Sequence, residues 1–169
     1  MNVSKVKNKI LINFEKNILM KKERRYKHIT KQLENLLTVT DPSILRMATI
    51  STLLYNKMKG FSWTGFYLLQ NGELLVSTYH GLPACQKLKK NTGVCWAAIN
   101  QNKTIIVPNV HEFPGHIACD SSTNSEIVTP VYFKNGLIFG VLDIDSKNFN
   151  QFDETDALWL EKISKMVFV

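Results

Sequence analysis

Residues 61–79 read FSWTGFYLLQNGELLVSTY, and they carry the clearest structural signal in this chain. Residues 61–69 and 73–79 are rich in aromatic and aliphatic side chains, which is typical of β-strands. Between the two runs lies Asn71-Gly72, a dipeptide that favours a two-residue hairpin turn because both residues tolerate a positive φ. The stretch therefore predicts two antiparallel strands.

A second hairpin is predicted further along the chain by the same signals. Residues 126–133 and 137–144 are largely apolar runs on either side of Asn135-Gly136. A shorter β-branched run, residues 104–107, ends at Pro108. We expect all of these strands to share one central antiparallel sheet.

The first third of the chain has the periodicity of helices. Apolar residues recur at three- and four-residue spacing with lysines between them, which predicts an amphipathic helix that packs on the domain or on a partner subunit. The members of this stripe are Val3, Val6, Ile10, Leu11, Phe14, Ile18 and Leu19. A second helical piece covers the leucines of residues 33–37. Asp41 followed by Pro42 predicts the N-cap and first turn of a helix that runs through Leu54.

Two further helices complete the predicted architecture. Cys95 begins a short helix through Ile99, and Asp153 caps the last helix. The buried face of that last helix is predicted to hold Ala157, Leu158, Leu160, Ile163 and Val167. Helices around a central antiparallel sheet make an α+β domain, and we expect the helices on one face of the sheet. Residues 1–37 form a basic amphipathic helical segment, and residues 38–169 form the main domain.

The net charge of +7 is concentrated near the N-terminus. Residues 1–31 carry 10 Lys or Arg and 2 acids, so the remainder carries 11 against 12. A basic flank without interleaved aromatic residues or a recognisable module is not typical of nucleic-acid binding. No apolar run approaches the roughly 20 residues that cross a bilayer. We therefore expect a cytoplasmic protein that contacts neither nucleic acid nor membrane.

Three cysteines, Cys85, Cys95 and Cys119, make an odd count in a chain without a recognisable secretory signal. This favours reduced thiols over a disulfide framework. Cys119 lies in residues 113–128, FPGHIACDSSTNSEIV, a turn-rich loop that also holds His, Asp and Glu. Because catalytic groups concentrate on loops held by rigid elements, this loop is the candidate reaction site. The competing interpretation is that each cysteine is a small buried apolar residue.

Three acidic residues are predicted to form a pocket for a cation. Asp143 and Asp145 are two apart in a strand and so point to the same face, and Glu126 opens the strand that pairs with theirs. Such a pocket suits an ammonium group, with Trp63 and Tyr67 on a neighbouring strand as its apolar wall. The alternatives are a solvated strand end for the acids and ordinary core packing for the aromatic residues.

Metal binding by histidines and cysteines is a weaker alternative. His111, His116 and Cys119, with Cys85 or Cys95, offer nitrogen and sulfur ligands, but their spacing fits no standard zinc motif. We therefore predict that the site holds no metal.

Several motifs, in this order, resemble those of the free methionine-(R)-sulfoxide reductases, a catalytic branch of the GAF-domain superfamily. The resemblance covers about residues 60–160. It rests on SWTGFYL (62–68), GLPAC (81–85), GVC (93–95), FPGHIACD (113–120), SEIV (125–128) and GVLDIDS (140–146). The chain departs from the family pattern at Trp96, where glycine is usual, and at Asn91 and Asn109.

The resemblance implies a GAF-like catalytic domain over residues 38–169, often a homodimer, that reduces free methionine (R)-sulfoxide with electrons from thioredoxin and no other cofactor. It implies that Cys119 is the nucleophile, which becomes a sulfenic acid, that Cys85 is the main resolving cysteine, and that Cys95 is a third cysteine in the disulfide exchange. The substrate contacts that it implies are Glu126, Asp143 and Asp145 to the amine and sulfoxide oxygen, and Trp63 and Tyr67 around the methyl group.

Two other functions stay open at this point. One is a GAF module that binds a small molecule without converting it, since one fold hosts many functions. The other is a peptide-level or general thiol reductase, which would accept substrates whose amine is blocked.

Overall fold

The computed structural model describes residues 3–116 and 119–168, with side chains from residue 19 onward in these ranges. The helices are α1 (Val3–Leu36), α2 (Ser43–Lys57), α3 (Gly93–Gln101) and α4 (Glu154–Ser164). The strands are β1 (Trp63–Gln70), β2 (Glu73–His80), β3 (Lys87–Leu88), β4 (Ile105–Val107), β5 (Ser125–Tyr132) and β6 (Ile138–Ser146). Short 3₁₀ turns cover Val110–Glu112 and Lys165–Val167.

The strands form one antiparallel sheet with the order β3-β2-β1-β6-β5-β4. Asn71 and Gly72 join β1 to β2 with φ values of 51° and 77°, as a tight hairpin turn requires. β5 and β6 pair along their length around the second Asn-Gly turn. Both predicted hairpins are therefore confirmed. The two-residue β3 was not predicted, because two residues are too few to show an alternating pattern.

Both faces of the sheet are covered, so the expectation that the helices lie on one face is wrong. α1, α2 and α4 pack on one face, against residues that include Phe66, Leu142 and Ile144. α3 packs on the opposite face, against residues that include Trp63 and Tyr67. β1 and β6 are largely apolar at successive positions, which is typical of strands buried on both sides. The α3 sequence is short and apolar, and its periodicity does not indicate which side of the sheet it covers.

α1 is one continuous helix, so the predicted division into two helical pieces is wrong. Residues 3–36 contain no Gly or Pro, and nothing in that stretch favours a break. The second half of α1 belongs to the same core as α2 and α4, because Tyr26, Ile29 and Leu33 are fully buried there. The side chains of the predicted apolar stripe between Val3 and Ile18 lie outside the described residues. Neither α1 nor any other helix within residues 3–116 and 119–168 combines the length and apolar content needed to cross a membrane.

The starts of α2 and α4 are capped differently. The N-cap of α2 is Pro42, and the Asp41 carboxylate instead accepts a hydrogen bond from the Thr38 N–H at 2.7 Å, so the predicted Asp41 cap is wrong. The predicted cap of α4 is confirmed, because Asp153 and Asp156 form a reciprocal capping box. Leu158 is wrongly predicted as buried, since it is 53% exposed on the outer side of α4.

Candidate active site

The acidic residues predicted to form a pocket converge on the face of the sheet that α3 covers. In the observed register Asp145 on β6 pairs with both Trp63 on β1 and Glu126 on β5. Residues directly opposite one another in an antiparallel sheet point to the same face. Asp143 is two residues from Asp145 along β6 and therefore shares that face.

A pocket opens above these side chains, between the sheet, α3 and the loops that follow β2 and β4. Seven of the eight predicted site residues line it: Trp63, Tyr67, Cys95, Cys119, Glu126, Asp143 and Asp145. The eighth, Cys85, is bonded to one of them, because a disulfide joins Cys85 to Cys119 with their Cα atoms 5.6 Å apart. The structure thus brings together residues that lie up to 82 positions apart in the chain.

The aromatic wall of the pocket is held rigidly. Trp63 stacks on Tyr67 and on Tyr79, with ring centroids 5.9 and 5.3 Å apart, and its indole N–H donates to the Leu82 carbonyl at 3.1 Å. The Tyr67 hydroxyl donates to the Cys85 carbonyl at 3.1 Å. A Cβ at position 65 would lie 2.5 Å from the Trp63 ring, so only Gly65 leaves room for the indole.

Burial is the dominant influence on the acids. Glu126 and Asp143 are 6% and 7% exposed. Burial raises the pKa of Glu126, and the neighbouring Asp145 raises it further; the pKa values of Asp143 and Asp145 are raised first by burial and then by Glu126 and Asp143, respectively. Within the described residues, Asp143 Oδ1 is buried without a hydrogen-bond partner. Burial thus favours the neutral form of these carboxyl groups, and Asp143 Oδ1 is an acceptor that a cationic ligand could satisfy.

The three cysteines occupy two environments. Cys85 and Cys119 link the loop after β2 to the loop before β5, and Cys119 is exposed at the pocket. Cys95 is a buried free thiol in the first turn of α3, and its Sγ donates to Asp143 Oδ2 at 3.4 Å. Burial, and then Asp143, raises the pKa of the Cys95 thiol. Cys95 is thus protonated at neutral pH and poorly suited to attack.

Sequence reasoning missed several residues of the pocket. Thr92 and Gly93 line it where α3 begins, so the first amides of a nine-residue helix lie at the site. The sequence suggests His116 as a metal ligand, but in the structure its Nε2 lies 3.6 Å from Glu126 Oε2. Its position in the FPGHIACD motif was the available signal; the contact with Glu126 is not readable from the sequence because ten residues separate them.

The residues that depart from the family pattern, Asn91, Asn109 and Trp96, each fit the local structure around them. Asn91 has a φ of 57°, in the left-handed region that asparagine tolerates better than most residues. Asn109 caps the 3₁₀ turn by accepting from the His111 N–H at 3.1 Å, as an aspartate would. Trp96 is 4% exposed and belongs to the apolar cluster around α3.

The donor atoms that could hold a metal differ from those predicted. Cys95, Glu126 and Asp143 place a sulfur and two carboxylate oxygens within 4.8 Å of one another. A thiol that binds a metal must be deprotonated. Cys95 is buried, and its S–H donates a hydrogen bond to Asp143. His111 is exposed and bonded to Asn124, and Cys119 is in a disulfide, so the set considered from the sequence does not assemble here. We assign no metal to the site, and its absence remains a prediction.

A six-stranded antiparallel sheet with a long N-terminal helix, a C-terminal helix and a buried pocket on the opposite face defines a compact ligand-binding α+β domain. A GAF domain model matches residues 47–165. The chain is 44% identical over 147 residues to GAF domain-containing protein A of Dictyostelium discoideum, covering 86% of this chain and 92% of that protein. It is 37% identical over 144 residues to the free methionine-R-sulfoxide reductase of Escherichia coli (strain K12), covering 85% and 87%.

A solved structure agrees with these relatives. The X-ray structure of free methionine-R-sulfoxide reductase from Neisseria meningitidis in complex with its substrate matches with a TM-score of 0.77 at 36% identity. The match covers 84% of this chain and 85% of that one. The chain therefore belongs to the GAF-domain family and, within it, to the free methionine-R-sulfoxide reductases.

Proposed function

We propose that this protein reduces the R-sulfoxide of free methionine to methionine by thiol chemistry. The observation that carries the proposal is the meeting of the Cys85–Cys119 disulfide with a pocket lined by an aromatic wall and three carboxyl groups, of which Glu126 and Asp143 are buried. The relatives named for this activity support the same substrate.

The pocket offers a partner for each polar part of a free amino acid. The ammonium group fits Asp143 Oδ1, the buried acceptor without a partner, together with Glu126 and Asp145. Its charge stabilises the ionised form of the carboxyl group nearest to it. The substrate carboxylate fits the first amides of α3, at Gly93 and Val94, where the helix dipole favours an anion; the Thr92 N–H already donates to the Lys89 carbonyl.

In the first chemical step, the Cys119 thiolate attacks the sulfoxide sulfur, placed against Trp63, and forms an S–S bond while Glu126 donates a proton to the sulfoxide oxygen. The hydroxyl group then passes from the substrate sulfur to the Cys119 sulfur, so the S–S bond and the substrate S–O bond break as the S–O bond to Cys119 forms. The substrate sulfur is reduced by two electrons and the Cys119 sulfur is oxidised by two. The products are methionine and a sulfenic acid on Cys119.

The second step regenerates the enzyme through a disulfide. The Cys85 thiol condenses with the Cys119 sulfenic acid, which forms the disulfide and releases water. A dithiol protein, thioredoxin, then reduces that disulfide by exchange, so no other cofactor is required. Cys95, buried beside Asp143, is the least accessible of the three and enters only the later exchange.

Cysteine variants test these roles. With free methionine (R)-sulfoxide and either dithiothreitol or thioredoxin, we expect Cys119→Ser to abolish methionine formation. With thioredoxin as the reductant, we expect Cys85→Ser to release about one methionine per chain before the trapped sulfenic acid stops turnover, whereas dithiothreitol, which reduces a sulfenic acid directly, should allow further turnovers. Cys95→Ser, the matched control, is expected to keep multiple turnovers. A Cys119→Ser variant as active as the parent chain would rule out the assigned nucleophile, and an inactive parent chain that still binds the sulfoxide would favour a sensing module.

Blocking the substrate amine separates this activity from a peptide-level reductase. N-acetylation removes the charge that the buried carboxyl groups are proposed to bind, so the pocket would be left with unpaired polar groups. We expect N-acetylmethionine sulfoxide to be consumed at least about 10³-fold less efficiently, as kcat/KM, than the free amino acid. Comparable consumption of the two substrates would contradict the proposed ammonium site.

A homodimer and a cytoplasmic location also remain part of the proposal. Both follow from the resemblance and from the charge pattern rather than from the geometry. Light scattering of the purified chain and fractionation of the source cells test them directly.

A further inference from the structure

His116 is the basic side chain of the pocket. Among the described residues that line it, no Lys or Arg occurs and His116 stands alone as a cationic or basic group. Its Nε2 lies 3.6 Å from Glu126 Oε2, and the side chains of His116 and Glu126 are 14% and 8% exposed. The imidazole therefore lies against the buried carboxyl group and is the more exposed of the two side chains.

The proposed reaction requires a proton to be returned to Glu126, the residue that His116 contacts. When Glu126 donates its proton to the sulfoxide oxygen, a carboxylate is left in a buried site beside Asp145, which disfavours that charge. Before the next turnover Glu126 must regain a proton. At 6% exposure the whole residue has little direct access to water.

We propose that His116 is the proton relay that returns a proton to Glu126, an inference that rests on the proposed function. The Cys119 thiol releases its proton on ionising, the His116 imidazole takes a proton from solvent at the pocket mouth, and its Nε2–H passes that proton to Glu126 Oε2. The imidazole is neutral again at the end of the cycle. The proton that the Cys119 thiol releases to solvent balances the one that the sulfoxide oxygen receives. His116 acts through Glu126 and is thus a positioning residue.

The charges around His116 agree with a transient rather than a permanent cation. Burial lowers the pKa of His116, so the resting ring is neutral and does not repel a substrate ammonium at neutral pH. Its own loop contributes Asp120, whose pKa is lowered by hydrogen bonds from Ser122. The other titratable groups that face the pocket are Glu126 on β5, Asp143 and Asp145 on β6, Cys95 on α3 and Tyr67 on β1.

His116→Asn tests the relay, with His111→Asn as the matched control on the same segment. His111 is exposed and bonded to Asn124 rather than to a carboxyl group. With all three cysteines present and the reductant saturating, we expect His116→Asn to lower kcat about 10²-fold and to leave KM within about twofold. Added imidazole is expected to restore part of kcat in proportion to its protonated fraction. His111→Asn is expected to keep the parent kcat.

Two outcomes overturn the relay. One is a His116→Asn variant with the parent kcat and pH profile. The other is a variant with lowered kcat that imidazole does not rescue and whose pH profile keeps the parent shape, since that loss would be structural.

NMR of the histidine rings keeps the contact testable if the chain reduces no methionine sulfoxide. We expect Glu126→Leu to change the ¹⁵N chemical shift of His116 Nε2, because the carboxyl group 3.6 Å away is lost, while the ring shifts of His111 stay the same. An unchanged His116 Nε2 shift would show that the two groups do not interact and would reject the relay independently of any activity.

Discussion

Asp143 combines deep burial with an oxygen that makes no hydrogen bond within the described residues. A buried acceptor without a protein partner disfavours the folded state. The other oxygen of Asp143 receives a hydrogen bond from the Cys95 thiol, which holds the side chain in place. Oδ1 thus marks the point where the substrate ammonium is proposed to bind.

The stability of an Asp143→Asn variant tests this interpretation. The folded-state pKa of Asp143 is raised above its unfolded value near 3.9, so the folded chain binds more protons above that pH and loses stability as pH rises. The amide removes this loss, and we expect the variant to be more stable to urea by about 1–2 kcal/mol at pH 8 and little changed at pH 4. The exposed control Glu34→Gln is expected to show no such pH-dependent gain. Equal stability of Asp143→Asn and the parent at both pH values would contradict the prediction.

At the level of elements, a partly buried ionic network joins α1 to the start of α4. Lys22 Nζ lies 2.7 Å from Asp153 and 2.6 Å from Asp156, and the Tyr26 hydroxyl donates to Asp156 at 2.8 Å. Asp156 is fully buried, so its carboxylate depends on these partners. The network therefore anchors the second half of α1 to the same helix layer as α4.

Removing the cation should loosen this junction. We expect Lys22→Met to lower the free energy of unfolding by about 3 kcal/mol, because Asp156 would be left buried without its cation. Lys27→Met, which breaks the exposed Lys27–Glu23 pair, should change it by less than about 0.5 kcal/mol. Urea unfolding followed by circular dichroism measures both. Similar effects of the two substitutions would mean that the network adds nothing beyond a surface pair.

The elements were predictable to the extent that their signals are local. Asn71-Gly72 and the aromatic and aliphatic runs beside it indicate a hairpin from within about 20 residues, and Asp153 indicates a cap within four. Which side of the sheet α3 covers depends on distant packing, so its short apolar sequence could not show it. The contact of His116 with Glu126 depends on the same distant packing. The pairing of Cys85 with Cys119 came only from the resemblance, because spacing alone permits other pairings.

At the scale of the whole molecule, the two faces of the sheet have different roles, one in stability and one in forming the pocket. The face under α1, α2 and α4 is an apolar core, and the face under α3 carries the pocket and its polar groups. The Cys85–Cys119 disulfide closes a segment that contains β3, α3 and β4, with a sequence separation of 34. Each proposed turnover opens and closes this covalent link, so the protein alternates between two states of different stability.

The difference between these states is measurable. By restricting the unfolded chain, the disulfide is expected to make the oxidised protein roughly 3–4 kcal/mol more stable than the reduced one. Guanidinium unfolding with and without reductant measures the difference. A Cys85→Ser/Cys119→Ser double variant, which cannot form the link, should unfold at the same denaturant concentration in both conditions. An oxidised parent no more stable than the reduced parent would contradict the expectation.

The stacking of Trp63 in the pocket wall gives the molecule an intrinsic optical reporter. Indole emission shifts in colour and intensity when the polarity beside the ring changes. Filling the cavity changes the surroundings of this ring, so a Trp96→Phe/Trp159→Phe variant, in which Trp63 is the remaining indole, would report occupancy in real time without a label. Mixing experiments on the millisecond scale can then separate arrival of the amino acid from the chemistry that follows it.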